Sequence, residues 1–460
     1  MDEVSRNLAR YVANCRFEDV PGPALQAAKR AVCDTIFAMV AGSSAPGIDV
    51  LLDFAGAWGG RGEARVIGTE WRLPAPKAAW CNGAMARALE IDDCVDFLPV
   101  HPSASAVPAL LAIAELRRGL SGRDFLTALA VGQDVKIRFG LAVRENAMQS
   151  GRNNMFKIFG PTAAVARALR LDAEKTQQAL GISFSHAVGD GQTALDGGLS
   201  LRLQQGIVAE GAVMSGLLAE RGFTGARDFL FGKYGYLRAF EPNPNMPPLT
   251  DDLGRRFHGD LITVKPYSAC RATHAAIDLA LALRLKVGAS VDAIKRIDIA
   301  VSPEVDRLVG APREARLRPD SAAAAQFSLY HTVATALLRG RLFLEEIEPA
   351  CYTDGAIRAL GERVVVTGDP AMRTESVIGR TRLSATLADG RTLVFESTTP
   401  FGSPANPISV EGLAEKARRC AAYCRRKLRP DAVDRIAAAI DGLEAASDAA
   451  TLLDPLFEAA

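Results

Sequence analysis

Apolar residues recur at three- and four-residue spacing through most of the first 240 positions, the period of helices with one buried face. "LQAAKRAVCDTIFAMVAG" carries this pattern without a break, and Gly42 supplies a stop. "PKAAWCNGAMARALEI" predicts a helix from Lys77 to about Ile91, with Pro76 in its first turn. In "SGRDFLTALAVGQDVKIRFGLAV", Ser121 and Asp124 make a Ser-x-x-Asp start that resembles a capping box. "PTAAVARALRLDAEKTQQALGIS" and "LQQGIVAEGAVMSGLLAERG" predict two more helices, whose small residues allow close packing. "EARVIGTEWRLP" is the early exception, a short hairpin turning near Gly68.

The pattern changes after "EPNPNMPPLTDDLG", a proline-rich polar stretch that reads as a linker or domain boundary. "HAAIDLALALRL" and "AAAAQFSLYHTVATALLRG" are helical, whereas "IKRIDIAVS", "ERVVVTGD", "RTRLSATLADG" and "RTLVFESTTP" read as strands, the last two joined at Asp389-Gly390. The tail from "SVEGLAEKARRCAAYCRRKLRP" returns to helix. The expected architecture is mainly α: a helical domain of residues 1–250 and 402–460, with an α+β domain of residues 258–401 inserted before the C-terminal helices.

Composition narrows the function classes. Lys plus Arg total 54 against 53 acids, a net charge of +1, which leaves neither a nucleic-acid nor a membrane-surface footprint. An anionic substrate would therefore have to be held by a local cluster of cations. "MDEVSRNLARYVANC" has no apolar run of the secretory type, and windows such as "AAIDLALALRL" are broken by charge before a membrane span is reached. The eight cysteines are dispersed, without CxxC or paired metal spacing, and read as reduced thiols of a cytoplasmic protein; Cys420 and Cys424 read as helix spacers.

Three clusters carry candidate chemistry. In "ALEIDDCVDFLPVHPS", Glu90, Asp92, Asp93 and Asp96 precede His101. At a helix C-terminus, Glu90 and Asp93 would have raised pKa values, and crowded acids near a histidine could hold one proton for general acid–base work. His101 precedes a helix with Ser103 or Ser105 as its N-cap, which would favour the neutral imidazole. The same segment reads also as a solvated acidic loop. In "VKPYSACRATHAAID", Lys265, Arg271 and His274 gather at a strand-to-helix junction beside Cys270, a cradle for carboxylates or a set of solvated capping residues. In "FSLYHTVATAL", Tyr330 and His331 lie on an apolar helix, as core residues or as a site. No nucleotide-binding glycine loop, GxSxG or HExxH is present, and no metal site is expected.

The order "RVIGT…AAWCNGAMARALEIDD…HPSASAVPALLAIAE…LSGRDFLTALAVG", followed by "ALGIS", "AERGFTGARDFLFG", "VKPYSACRATHAAID" and "AAQFSLYHTVATALLRG", resembles the MmgE/PrpD family over nearly the whole chain. That family includes 2-methylcitrate dehydratases, cis-aconitate decarboxylases and an iminodisuccinate epimerase. The resemblance implies a helical main domain, an α+β lid, a cleft between them, a homodimer, and no metal or organic cofactor. The shared chemistry is proton transfer at carbon next to a carboxylate. The family's acidic segment falls on Glu90, Asp92 and Asp93, its HPS histidine on His101 and the lysine of its lid motif on Lys265. A decarboxylase histidine falls on Cys270, and a frequent tyrosine falls on His331, preceded by Tyr330.

Two departures stand out. A second family histidine falls near Asn154, with Lys157 close by, and a decarboxylase lysine falls on Leu201, followed by Arg202. They speak against cis-aconitate decarboxylation and weaken the case for 2-methylcitrate dehydration. The resulting expectation is a cofactor-independent lyase for a small di- or tricarboxylate. His101 acts as acid/base with Glu90, Asp93 and Lys265, while Asp92, Asn154, Lys157, Arg202, Cys270, Arg271, His274, Tyr330 and His331 surround the substrate. An isomerase or epimerase, or a catalytically silent polycarboxylate-binding member, are the alternatives.

Overall fold

The computed structural model describes residues 2–151, 155–288, 290–376 and 378–458. Its first half is a stack of helices, α1 (Asp2–Asn14), α2 (Gly22–Gly42) and α3 (Ile48–Trp58), then α4 (Ala75–Arg87), α5 (Ser103–Arg117), α6 (Gly122–Ser150), α7 (Phe159–Ala168) and α8 (Ala173–Ser183). The short α9 (Gln192–Asp196) and the long α10 (Ser200–Glu220) follow. The expected hairpin is β1 (Ala64–Arg65) against β2 (Arg72–Leu73), antiparallel, with Gly68 at φ +76°. Ser121 caps α6 as its sequence predicted, accepting the Asp124 N–H.

Two helix crossings place the site. At α4–α10, a Cβ on Gly83 would come 3.0 Å from the Gln205 carbonyl oxygen, and one on Gly206 would come 2.4 Å from that of Trp80. At α6–α7, a Cβ on Gly160 would come 2.5 Å from the Cβ of Lys136. Only glycine allows backbones this close.

One expectation is corrected here. The predicted single helix through "PTAAVARALRLDAEKTQQALGIS" breaks after Ala168, because Arg170 turns to φ +52° and Asp172 caps a new helix by accepting the Lys175 N–H. The proline-rich stretch that the sequence reads as a linker or boundary packs against α6. Arg138 of α6 donates to the carbonyls of Pro248, Asp251, Asp252 and Arg256, fastening it to the helical stack.

One apolar core runs through these helices to Val264 and takes in the C-terminal helices through Leu413, Ile436 and Leu453. A second core spans Ala269 to Leu387. There the helices His274–Val287 and Leu329–Arg339 pack with a four-stranded sheet. The short strands β3 (Cys94–Val95) and β4 (Ile262–Thr263) form a separate antiparallel pair, while the sheet comprises β5 (Ile294–Val301), β6 (Val364–Gly368), β7 (Thr381–Leu387) and β8 (Thr392–Ser397). Its order is β6-β5-β7-β8, with β5 parallel to β6 and the other pairs antiparallel. Ile297, Ile299, Leu383 and Ala385 face the core, as the alternation of β5 and β7 requires. The fold is mainly α, as expected. Among the described residues no helix is long and apolar enough to cross a membrane, and no cluster of metal-ligating side chains is found.

Candidate active site

The acid segment is neither the end of α4 nor a solvated loop. The helix stops at Arg87 rather than near Ile91, and Glu90 stands at φ +55°, a left-handed conformation that side chains disfavour. Glu90, Asp92 and Asp93 are all buried. The main chain is held from several directions. The Leu89 carbonyl accepts from Ser268 and Gln326, that of Ile91 from Lys416, and that of Asp96 from Ser376. β3 pairs Cys94 with Thr263 and Val95 with Ile262, so the acid segment lies beside the strand that leads into Lys265.

This juxtaposition builds a buried quartet of two acids and two cations. Arg87 pairs with Glu90 and lies 3.3 Å from Asp92 Oδ1. Lys265 Nζ lies 3.0 Å from Glu90 Oε2 and 3.8 Å from Asp92 Oδ1. Burial alone would push both carboxyls up, but Arg87 and Lys265 hold Glu90 below the usual range, and Arg87 with His101 does the same for Asp92. The raised pKa expected for Glu90 is thus reversed. Asp93 alone fulfils that expectation, pushed up to about 7 by burial. Its Oδ1 accepts the Ser103 N–H at 3.0 Å, so Asp93 performs at the start of α5 the capping expected of Ser103 or Ser105.

His101 Nδ1 lies 2.9 Å from the Asp93 carbonyl oxygen and 2.9 Å from Asp92 Oδ2. Both neighbours can only accept, so Nδ1 carries the hydrogen and Nε2 keeps the lone pair. Burial and the charge of Arg87 hold the imidazole below its ordinary pKa, against the pull of Asp92, so it is neutral at physiological pH.

His101 borders a cavity of about 30 Å³ whose other walls are Arg87, Val100, Lys136, Lys157, Leu201, Gln204 and Gln205. Lys157 donates to Gln204 Oε1 at 2.8 Å. Burial lowers both Lys136 and Lys157 to about 7, and Lys136 adds to the shift at Lys157. A neutral base flanked by the buried cationic side chains of Arg87 and Lys157 can take a proton from an anionic molecule and meet the resulting charge.

The sequence identified His101, Lys157 and the acids behind Arg87, but it missed Arg87, Lys136, Gln204 and Gln205 on the wall. Lys136 sits among Gln133, Asp134 and Arg138 on α6, so its neighbours in the chain carry no local signal of its burial. Other expected site residues lie elsewhere. Arg271 is saturated by Asp96 at 2.8 and 3.0 Å and by the carbonyls of Pro400 and Phe401, so it fastens the two cores rather than presenting a free cation. His274 is buried between Arg271 and the Ala269 carbonyl, held well below its usual pKa by burial and Arg271. Arg202 turns to the Pro46 carbonyl and leaves Leu201 on the wall. Cys270 is buried near Glu90, its thiol pushed up to about 11 by burial and that charge, which rules out a thiolate. Tyr330 belongs to the second core, and His331 is buried next to it against the Glu346 carbonyl, lowered to about 4 by burial. Asn154 lies outside the described residues.

Residues 6–248 match the MmgE/PrpD N-terminal domain, and residues 267–442 match the MmgE/PrpD C-terminal domain. The chain belongs to the MmgE/PrpD family. A cis-aconitate decarboxylase-like protein of Aspergillus oryzae is 27% identical over 98% of this chain and 96% of its own. The human cis-aconitate decarboxylase is 26% identical over 98% of this chain and 94% of its own. The 2-methylcitrate dehydratase of Cupriavidus necator is 27% identical over 85% and 84% of the two chains.

Proposed function

We propose that this protein is a lyase that moves a proton next to a carboxylate of a small di- or tricarboxylate, releasing water or CO2. The observation that carries the reading is the neutral His101, oriented through Nδ1, at a cavity walled by Arg87 and Lys157. His101 Nε2 takes or returns the proton. Arg87 and Lys157 meet the charge that develops on the substrate. Glu90, Asp92 and Lys265 stand behind the wall and fix Arg87 and His101. The relatives named for decarboxylation and dehydration support the lyase class. A cavity of about 30 Å³ holds about one water, so substrate entry requires its walls to part. The reading includes a homodimer, which sedimentation measures directly.

A second reading is isomerisation or epimerisation of a dicarboxylate. It draws on a specific feature: His101 and Lys157, both proton carriers near or below neutrality, line the same cavity. An NMR-monitored panel of di- and tricarboxylates in deuterated water separates the readings. An alkene or decarboxylated product supports the lyase. Deuterium entering otherwise unchanged substrate supports the isomerase, and saturable binding without turnover identifies a silent family member.

A further inference from the structure

Two charged residues on α6, two positions apart, are treated differently by the fold. Asp134 is surrounded by partners: Arg138 at 2.6 Å, His258 at 2.7 Å and Tyr11 at 2.9 Å. Lys136 is equally buried, at 0% exposure, but its Nζ donates only to Ser105 Oγ, at 2.9 Å, and forms no ion pair among the described residues. An ammonium has three hydrogens and no acceptor, so two remain for a ligand in the cavity that Lys136 borders.

The placement is built into the helices. A Cβ at Gly160 would fall 2.5 Å from Lys136 Cβ, and one at Gly132 would fall 2.9 Å from the Gly160 carbonyl oxygen. Lys157 lies three residues before Gly160, so the same crossing brings both amines to one cavity. A buried ammonium without a counter-charge is unfavourable and sheds its proton readily. Burial lowers Lys136, with Asp93 and Asp92 opposing the shift; Lys157, Arg87 and His101 are the other titratable groups on this wall. A bound carboxylate would supply the missing charge.

We propose that Lys136 receives a second carboxylate of the substrate, remote from the reacting carbon, and so makes the cavity selective for acids with two or more carboxylates. The assignment rests on the polycarboxylate reading above. It gives Lys136 a role in selection and binding, distinct from the proton transfer at His101.

Isothermal titration with tricarballylate, a tricarboxylate without a hydroxyl leaving group, tests it. Measurements at pH 8 in two buffers of different ionisation enthalpy report proton uptake. Wild-type protein is expected to bind with net uptake, because the ligand returns Lys136 to its charged form. Lys136→Met should weaken tricarballylate roughly 30- to 100-fold, remove part of that uptake and leave the weak binding of butyrate unchanged within about threefold. Once a turned-over substrate is found, its KM should rise while kcat stays within a few-fold. Lys136→Gln keeps a donor for Ser105 and provides the same test if the Met variant does not fold. Equal tricarballylate affinity and equal proton uptake in wild type and a folded variant would overturn the role of Lys136 and leave the site reading intact. Wild-type protein that binds no carboxylate would overturn both, and the wild-type titration alone shows which has failed.

Discussion

His101 Nδ1 lies 2.9 Å from Asp92 Oδ2, and Asp92 is itself held by Arg87 at 3.3 Å and Lys265 at 3.8 Å. The carboxylate therefore balances two buried cations beside the imidazole, whose hydrogen the Asp93 carbonyl oxygen, also 2.9 Å away, holds on Nδ1. The cost of this arrangement is a base whose environment depends on four other side chains.

Replacing the base should show this directly. His101→Gln is expected to lower turnover by about 10²-fold or more while leaving the fold intact, since among the described residues only Nδ1 makes polar contacts. Wild-type turnover in that variant would remove His101 from the mechanism.

The pH profile follows from the same pair. The folded pKa of His101 is lowered, so the base form dominates above it, and the acid limb of kcat/KM should lie below about 6.5. Asp92 favours the imidazolium, so Asp92→Asn should move that acid limb to still lower pH and reduce kcat by roughly 10²-fold through poorer orientation. An unmoved limb would show that another group controls it.

Asp93 links pH to stability with the opposite sign to an ion-paired acid. Its carboxyl rises from 3.8 unfolded to about 7 folded, so its contribution is full below pH 3.8 and is lost as pH rises toward about 7. Asp93→Asn removes this titration and retains an oxygen for the Ser103 N–H. The melting temperature of the variant minus that of wild type should therefore increase between pH 5 and pH 8, and a constant difference would refute the shift.

Lys265 tests the quartet. Lys265→Met leaves Glu90 and Asp92 short of a buried counter-charge and should destabilise the fold by about 3–5 kcal/mol in denaturant titration. Adding Glu90→Gln should recover part of the loss. Strict additivity of the two changes would indicate that they do not act through each other.

Arg271 distinguishes fastening from binding. Arg271→Lys cannot reproduce the two-pronged contact with Asp96, so the melting temperature should fall. Its KM for any substrate should stay within about threefold, because the guanidinium is absent from the cavity wall. A large KM rise without destabilisation would return Arg271 to the site.

What the chain disclosed in advance depended on whether a signal was local. Helices α2 and α6, the Gly68 hairpin and the β7–β8 hairpin followed from periodicity and turn residues close in sequence. The placement of Arg271 did not, because Asp96, Pro400 and Phe401 are distant in the chain and compete for the same guanidinium. The break at Arg170 and the stop at Arg87 escaped because the helical pattern continues past both. Lys136 escaped for a different reason. A lysine beside Gln133, Asp134 and Arg138 reads as a solvated side chain until its burial is known.

The quartet also carries a consequence for how the protein is made. Glu90 and its partner Lys265 are 175 residues apart, and Ile91 and Lys416 are separated by 325. A chain growing on the ribosome exposes the acid segment long before either amine arrives, and chains emerge at roughly 5–20 residues per second. For tens of seconds the nascent segment must keep its carboxylates in water, with β3 unpaired. The acid segment is then clasped from the C-terminal side, and a chain truncated ahead of Lys416 would carry these acids without one of the clasps that hold their main chain.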